Sequence, residues 1–230
     1  MKKRLVAVVA VMSALCMMLT GCSKLAPADQ TISALFDLYV KEDAAPMMDL
    51  LGFESEEAVN AAFFEEDAEA DMVAELQAEF AAAGMEMSEE EVQELTDTMI
   101  GMMNKTSCTA EITAEDGDYT TVTLQVTGFS NEEMMTIIEE ASNTMLESIT
   151  EEDLLLIAEG DMDVLGSYMS AYVEDFMAGF AAMETVAEPV EVTVECEKLI
   201  VDNNGKEITA WLPSDMDEFT ADIDAAVFQN

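Results

Sequence analysis

The sequence predicts an α+β fold, with helices packed on one face of an antiparallel sheet built from two β-hairpins and with helix in the majority. Three observations carry this. Apolar residues recur at helical spacing along most of the chain. Two stretches, 108–126 and 190–211, change instead to strict alternation. Each is divided by an acidic turn containing glycine, Glu115-Asp116-Gly117-Asp118 in the first and Asp202-Asn203-Asn204-Gly205 in the second.

Ahead of this domain the chain reads as a secretory leader. Lys2, Lys3 and Arg4 form its positive start, and Leu5–Leu19 is an uncharged apolar run of 15 residues. A run of that length suits a signal peptide and falls short of the roughly 20 residues needed to span a bilayer. Leu19-Thr20-Gly21-Cys22 then matches the bacterial lipobox. The expected organisation is a lipoprotein signal peptide over 1–21, cleaved between Gly21 and Cys22, with Cys22 as the lipidation site. A lipidated cysteine and tether follow over 22–28, and a single α+β domain over 29–230. Two helix-plus-hairpin halves, about 29–129 and 130–230, are the alternative. The two acyl chains of such an anchor hold a protein durably at a membrane surface, where one would not.

Each element has a local cause. Asp29 is expected to cap a helix whose inner face is Ile32, Leu35, Phe36, Tyr39 and Val40, ending at Lys41-Glu42-Asp43. Pro46 opens a short turn of helix closed by Gly52. Ser55 caps a helical region reaching towards Gly84, with Val59, Phe63, Val73, Leu76 and Phe80 inward. Ser88-Glu89-Glu90-Glu91 is a capping box before a helix using Val92, Leu95, Met99 and Met103. In the first hairpin Cys108, Ala110, Ile112 and Ala114 face one way, returning through Val122, Leu124 and Val126. Ser130-Asn131-Glu132-Glu133 is a second capping box, before Ile137, Ile138, Ala141, Met145 and Ile149. Thr150 caps a short helix ending at Gly160. The next carries an aromatic-rich stripe of Leu165, Tyr168, Met169, Tyr172, Phe176 and Phe180. Pro189 stops it. Val190, Val192, Val194 and Cys196 open the second hairpin, whose return strand carries Ile208 and Trp211. Ser214 is expected to cap a last helix that docks through Phe219, Ile223 and Val227.

Charge narrows the function. The chain has 50 acidic residues against 8 Lys and Arg, for a net charge of −42. Cleavage at Cys22 would leave five lysines, no arginine and every acid, a net charge of −45. Half of the residues are apolar and they are periodic, so this is an acidic shell around a core rather than a disordered polyanion. Binding of nucleic acid or other phosphates requires clustered basic residues, which are lacking. The partners expected are the membrane, through the N-terminal lipid, and a protein or cationic ligand.

At the level of whole motifs the chain resembles a domain-of-unknown-function family of lipoproteins from clostridial-type Gram-positive bacteria. The resemblance lies in the lipobox, a helix ending near Lys41-Glu42-Asp43, and the run Leu51-Gly52-Phe53-Glu54-Ser55-Glu56-Glu57-Ala58. It extends to the hairpin around Asp116-Gly117-Asp118-Tyr119 and to Trp211 ahead of a terminal helix. It implies a surface lipoprotein, with no activity and no catalytic residues to carry over.

Absences and registers then weigh the chemistry. The chain has no histidine, which removes His-based triads and most zinc sites. Mature serines lack a Gly-x-Ser-x-Gly setting, and there is no Gly-rich phosphate loop. A carboxylate pair is the remaining enzymatic option, and the inward registers hold no acid. The acidic clusters at 115–118, 161–163 and 202–205 lack the spacing of an EF-hand, and the first and third read as turns. Met99, Met102 and Met103 read as core filling rather than a copper(I) site. Cys108 and Cys196 sit at matching positions in their hairpins and are expected close together on the core face, either as buried thiols or bridged. No catalytic residue, metal or cofactor is assigned. The expectation is a non-enzymatic, membrane-tethered binding or scaffolding module. A carboxylate-pair hydrolase of the cell envelope is the first alternative, and the solute-binding component of a transporter the second.

Overall fold

The computed structural model describes residues 25–64, 78, 81 and 89–229. In chain order the elements are α1 (Ala28–Lys41), α2 (Ala45–Leu51), α3 (Glu56–Phe63), α4 (Glu89–Met103), β1 (Ser107–Asp116), β2 (Tyr119–Thr127), β3 (Phe129–Ser130), α5 (Asn131–Ser148), α6 (Glu151–Glu159), α7 (Met162–Ala182), β4 (Val190–Asn203), β5 (Lys206–Pro213), α8 (Met216–Val227) and β6 (Phe228–Gln229). The fold is α+β and helix-rich, with an antiparallel four-stranded sheet in the order β1-β2-β4-β5. The chain forms two compact units that draw on interleaved stretches. Of the described residues, the first comprises 25–64, 107–127 and 188–227; the second comprises 78, 81, 89–106, 128–187 and 228–229.

In the first unit both hairpins join one sheet, because β2 pairs with β1 on one side and β4 on the other. Helix α1 packs on β1, β2 and β5, α3 on β4, and α8 on β2 and β4. Alternation does what it should on β2: Thr120, Val122, Leu124 and Val126 are buried. The core adds Ile32, Leu35, Phe36 and Leu38 from α1, Val59 and Phe63 from α3, and Phe219, Ile223 and Val227 from α8. Side chains of that size each contribute about 1.5–3 kcal/mol when fully buried. Both hairpins turn on two residues. Gly117 sits at φ 65° in the first, while Asn204 and Gly205 both take positive φ in the second (52° and 83°), the backbone an Asn-Gly hairpin turn requires. Asp202 Oδ1 accepts from Gly205 N, locking that turn.

Several expectations change here. Helix α1 begins one residue before Asp29, with Pro27 at the N-cap, so Asp29 lies in the first turn instead of capping. Proline suits that boundary because it has no N–H to satisfy, and the Thr31 hydroxyl donates to its carbonyl. Asp215, not Ser214, caps α8, accepting from Glu218 N at 3.0 Å, while Ser214 N donates to Glu195 O. On β4 the buried alternation, Val192, Val194 and Cys196, does not continue to Lys198 and Ile200. It resumes one residue out of step at Val201 and Asn203. On β5 Ile208, Ala210 and Leu212 form the buried register, with Pro213 buried at the strand's end, and Trp211 belongs to the other face. Val73, Leu76, Phe80 and the Ser88 cap lie outside the described residues.

In the second unit α5 packs on α7, α4 and α6 also pack on α7, and β3 pairs in parallel with β6. That short pairing joins residues about 100 positions apart and has no periodic signature. Ser130 Oγ accepts from Glu133 N at the start of α5, and a reciprocal capping box forms at Thr150 and Asp153 before α6. Burial is thinner than in the first unit. In α6 no residue is buried, and Leu154 and Leu155 are exposed. Of the α7 stripe only Phe180 is buried, although Tyr172, Phe176 and Phe180 form a ladder with the closer centroids 4.3 Å apart.

Candidate functional site

Within the second unit a groove of about 630 Å³ lies between α4 and α7. Its walls are set by local rules. Asp161 Oδ1 accepts from Val164 N at the start of α7. At the other end Lys105, just beyond α4, donates its ammonium to the carbonyls of Ala181 and Met183 at 2.9 and 2.7 Å. A cation on the free carbonyls of a helix C-terminus satisfies acceptors that would otherwise lack partners and complements the helix dipole. The same bonds tie the end of α4 to the end of α7.

The floor and rim differ in chemistry. Gly166, Ser170 and Ala178 stand at four-residue intervals on α7, interrupted in that row by Glu174. Val173, Met177 and Ala181 form the neighbouring row. Residues 166 to 181 span about 22 Å at 1.5 Å per residue, so the groove is elongated. Glu91 and Glu94 face it from α4 and Glu174 from α7. Small and apolar side chains thus line a channel edged by carboxylates. This is the face of α7 turned away from its aromatic stripe, whose Tyr168 donates to Asp153 Oδ2 of α6 and to Ser148 O of α5. Sequence reading missed the groove because it followed the large apolar stripe. The available signal was the small residues at i, i+4 and i+12 beside it.

Cys108 and Cys196 are free, and the register separates them. Cys108 pairs with Val126 at one end of β2, whereas Cys196 pairs with Thr120 at the other. Six residues of strand are about 20 Å, beyond the 7 Å Cα limit for a disulfide. The expected proximity is therefore corrected; Cys196 lies on the buried register of β4, and Cys108 on the half-buried register of β1. Burial pushes both up to about 12, with Asp37 adding to the effect at Cys108. Neutral thiols of that kind are poor nucleophiles.

The acidic clusters have local partners. Asp118 pairs with Lys198 at 3.0 Å, and the same ammonium bonds Gly117 O and lies 4.9 Å from the Trp211 ring centroid. Asp202 holds its own turn and Asp161 caps α7. Met102 is buried in α4, with Met99 and Met103 partly exposed. Among the described residues no Asp or Glu is buried as a whole, although Asp29 Oδ1 is shielded from solvent and has no hydrogen-bond partner. Gly21 and Cys22 lie outside them. No helix among the described residues is long and apolar enough to cross a membrane.

No protein-family model matches the chain, and no curated protein matches it. The fold is similar to a crystal structure from Bacillus subtilis of a protein described as a candidate lipoprotein (ycdA), at 14% identity and a TM-score of 0.48. The match covers 88% of this chain and 56% of that one, so this chain spans just over half the length of that protein.

Proposed function

We propose that this protein is a cell-surface lipoprotein that works by binding rather than by catalysis, tethered to the outer face of the membrane through Cys22. The anchor half rests on Leu19-Thr20-Gly21-Cys22 behind a 15-residue apolar run. The binding half is carried by one observation, the α4–α7 groove, where an apolar floor meets a carboxylate rim. Such a channel selects for positive charge joined to an apolar surface.

The test is to feed cells a fatty acid bearing a chemical handle and compare the native chain with Cys22→Ala. The native chain should take up the label and fractionate with membranes. The variant should take up none and be shed or remain unprocessed. Equal labelling and equal membrane retention of the variant would sink the anchored reading. A carboxylate-pair hydrolase is favoured by one feature, Glu94 and Glu174 lining one groove from two helices. It requires that Glu94→Gln or Glu174→Gln abolish release of fragments from envelope glycan, whereas the binding reading expects no such turnover in the native chain.

A further inference from the structure

We infer that the α4–α7 groove receives a basic amphipathic helix of another protein, laid along α7 with its apolar side down. This deepens the binding reading and rests on it. Length is the first argument. A channel about 22 Å long matches some four turns of helix better than a compact small molecule. Floor chemistry is the second. Gly166, Ser170 and Ala178 keep side chains short along the channel, letting a third helix approach closely, while Val173 and Met177 offer apolar contact. Met adapts to partners of varied shape. The arrangement is that of helix-in-groove recognition, read through anchors at i, i+3, i+4 and i+7.

Charge chooses the occupant. Glu91, Glu94 and Glu174 edge the groove, and no lysine lines it. A second copy of this chain brings a net charge of −42 and is repelled. The chain's own 65–88 contains acids and neither Lys nor Arg, so it offers no complement. A helix with Lys or Arg flanking its apolar side supplies opposite charge at both walls, which guides encounter and sets register.

The experiment uses the lipidated full chain in bilayer discs of zwitterionic lipid. The probe is a fluorescent amphipathic peptide about 16 residues long, with leucine and alanine on one side and lysine flanking them, a length set by 1.5 Å per residue. Comparators are the same composition scrambled to destroy the apolar side, a version with glutamate for lysine, and spermine. Anisotropy titrations should show the helix binding at least about tenfold more tightly than the scrambled peptide, and spermine should not displace it. Ala178→Trp, which fills the floor, should weaken binding about tenfold. Glu94→Lys with Glu174→Lys should weaken it similarly and bind the glutamate version instead, a gain that misfolding cannot give. Glu140→Lys with Glu147→Lys, on the exposed face of α5, changes net charge equally and should leave affinity within about twofold. Equal binding of the scrambled peptide, displacement by spermine, no effect of Ala178→Trp, or an equal loss in the α5 control would each overturn the assignment. Fatty-acid labelling at Cys22 is independent of all these outcomes, so failure of the anchor and failure of the groove are distinguishable.

Discussion

Gly179 shows how a single missing side chain can set a helix crossing. A Cβ there would lie 2.4 Å from Ile137 Cγ2 and 3.5 Å from Ile137 Cβ, so α5 and α7 meet at a point that tolerates only hydrogen. Elsewhere in a helix, replacing glycine with alanine stabilises by about 1 kcal/mol. At this position overpacking wins, because a β-branched isoleucine cannot swing aside. Gly179→Ala should destabilise the protein by about 1–3 kcal/mol, and Ile137→Ala in the same chain should recover much of that loss. Denaturant unfolding of the single and double variants measures it; stabilisation by Gly179→Ala alone would contradict the packing. The two strand thiols make a second prediction at this scale. Cys108 and Cys196 are pushed from an ordinary value near 9 to about 12, chiefly by burial, so folding favours their neutral forms. Their contribution is whole below pH 9 and is lost as pH rises from about 9 towards 12, because the unfolded chain releases those protons first. Tyr39, half-buried and bonded to Asp224 Oδ1 at 3.0 Å, is likewise raised and adds to the loss above about pH 10. Stability measured from pH 8 to 11 should therefore fall, and fall less steeply in Cys196→Ala. An unchanged slope would show that the thiol does not carry the effect.

At the scale of elements, helix α6 has no buried residue and is held at its start by a hydrogen-bond network. Tyr168 of α7 donates to Asp153 Oδ2, which also accepts from Thr150, and these bonds hold the Asp153 carboxyl below its usual range. Tyr168→Phe should leave global unfolding nearly unchanged while raising amide exchange across 151–159, since local opening costs less than global opening. Protection equal to that of the native chain would mean the helix docks by other contacts. Elements of this kind also mark where the sequence is legible and where it is not. The hairpins were readable because Asp116-Gly117 and Asn204-Gly205 state their turn chemistry locally, and α3 because Ser55 caps it. The parity change between Cys196 and Leu199 was hidden because alternation alone cannot say which side of a strand is covered along its length. The separation of Cys108 from Cys196 is a property of pairing register, which equal positions in two hairpins do not determine. Pairing of Phe129 with Phe228 depends on tertiary approach alone. The groove escaped because small residues leave a space without marking it by hydrophobicity.

For the whole molecule the governing quantity is a net charge of −42 carried on periodic apolar elements. Three lysines are committed internally: Lys41 to Asp37 at 2.8 Å, Lys105 to the end of α7, and Lys198 to Asp118. The remaining acids repel one another over about 8 Å at physiological ionic strength. Monovalent salt should raise the melting temperature in a graded way, and calcium at equal ionic strength should do somewhat more without saturating. A saturable response to submillimolar calcium, removed by Asp116→Asn with Asp118→Asn or by Asp202→Asn, would follow mass action and establish a specific site instead. On the proposed function the chain is anchored at Cys22 and faces outward, Cys196 is buried and Cys108 half-buried in the sheet, and the α4–α7 groove is accessible. Ala178→Cys tests that in one measurement, by treating intact cells with a membrane-impermeant maleimide. The predicted result is rapid labelling of the variant, none of the native chain, and protection of the variant by the basic amphipathic peptide. Labelling of Ala178→Cys only after lysis, or labelling of the native chain at Cys22 in intact cells, would contradict it.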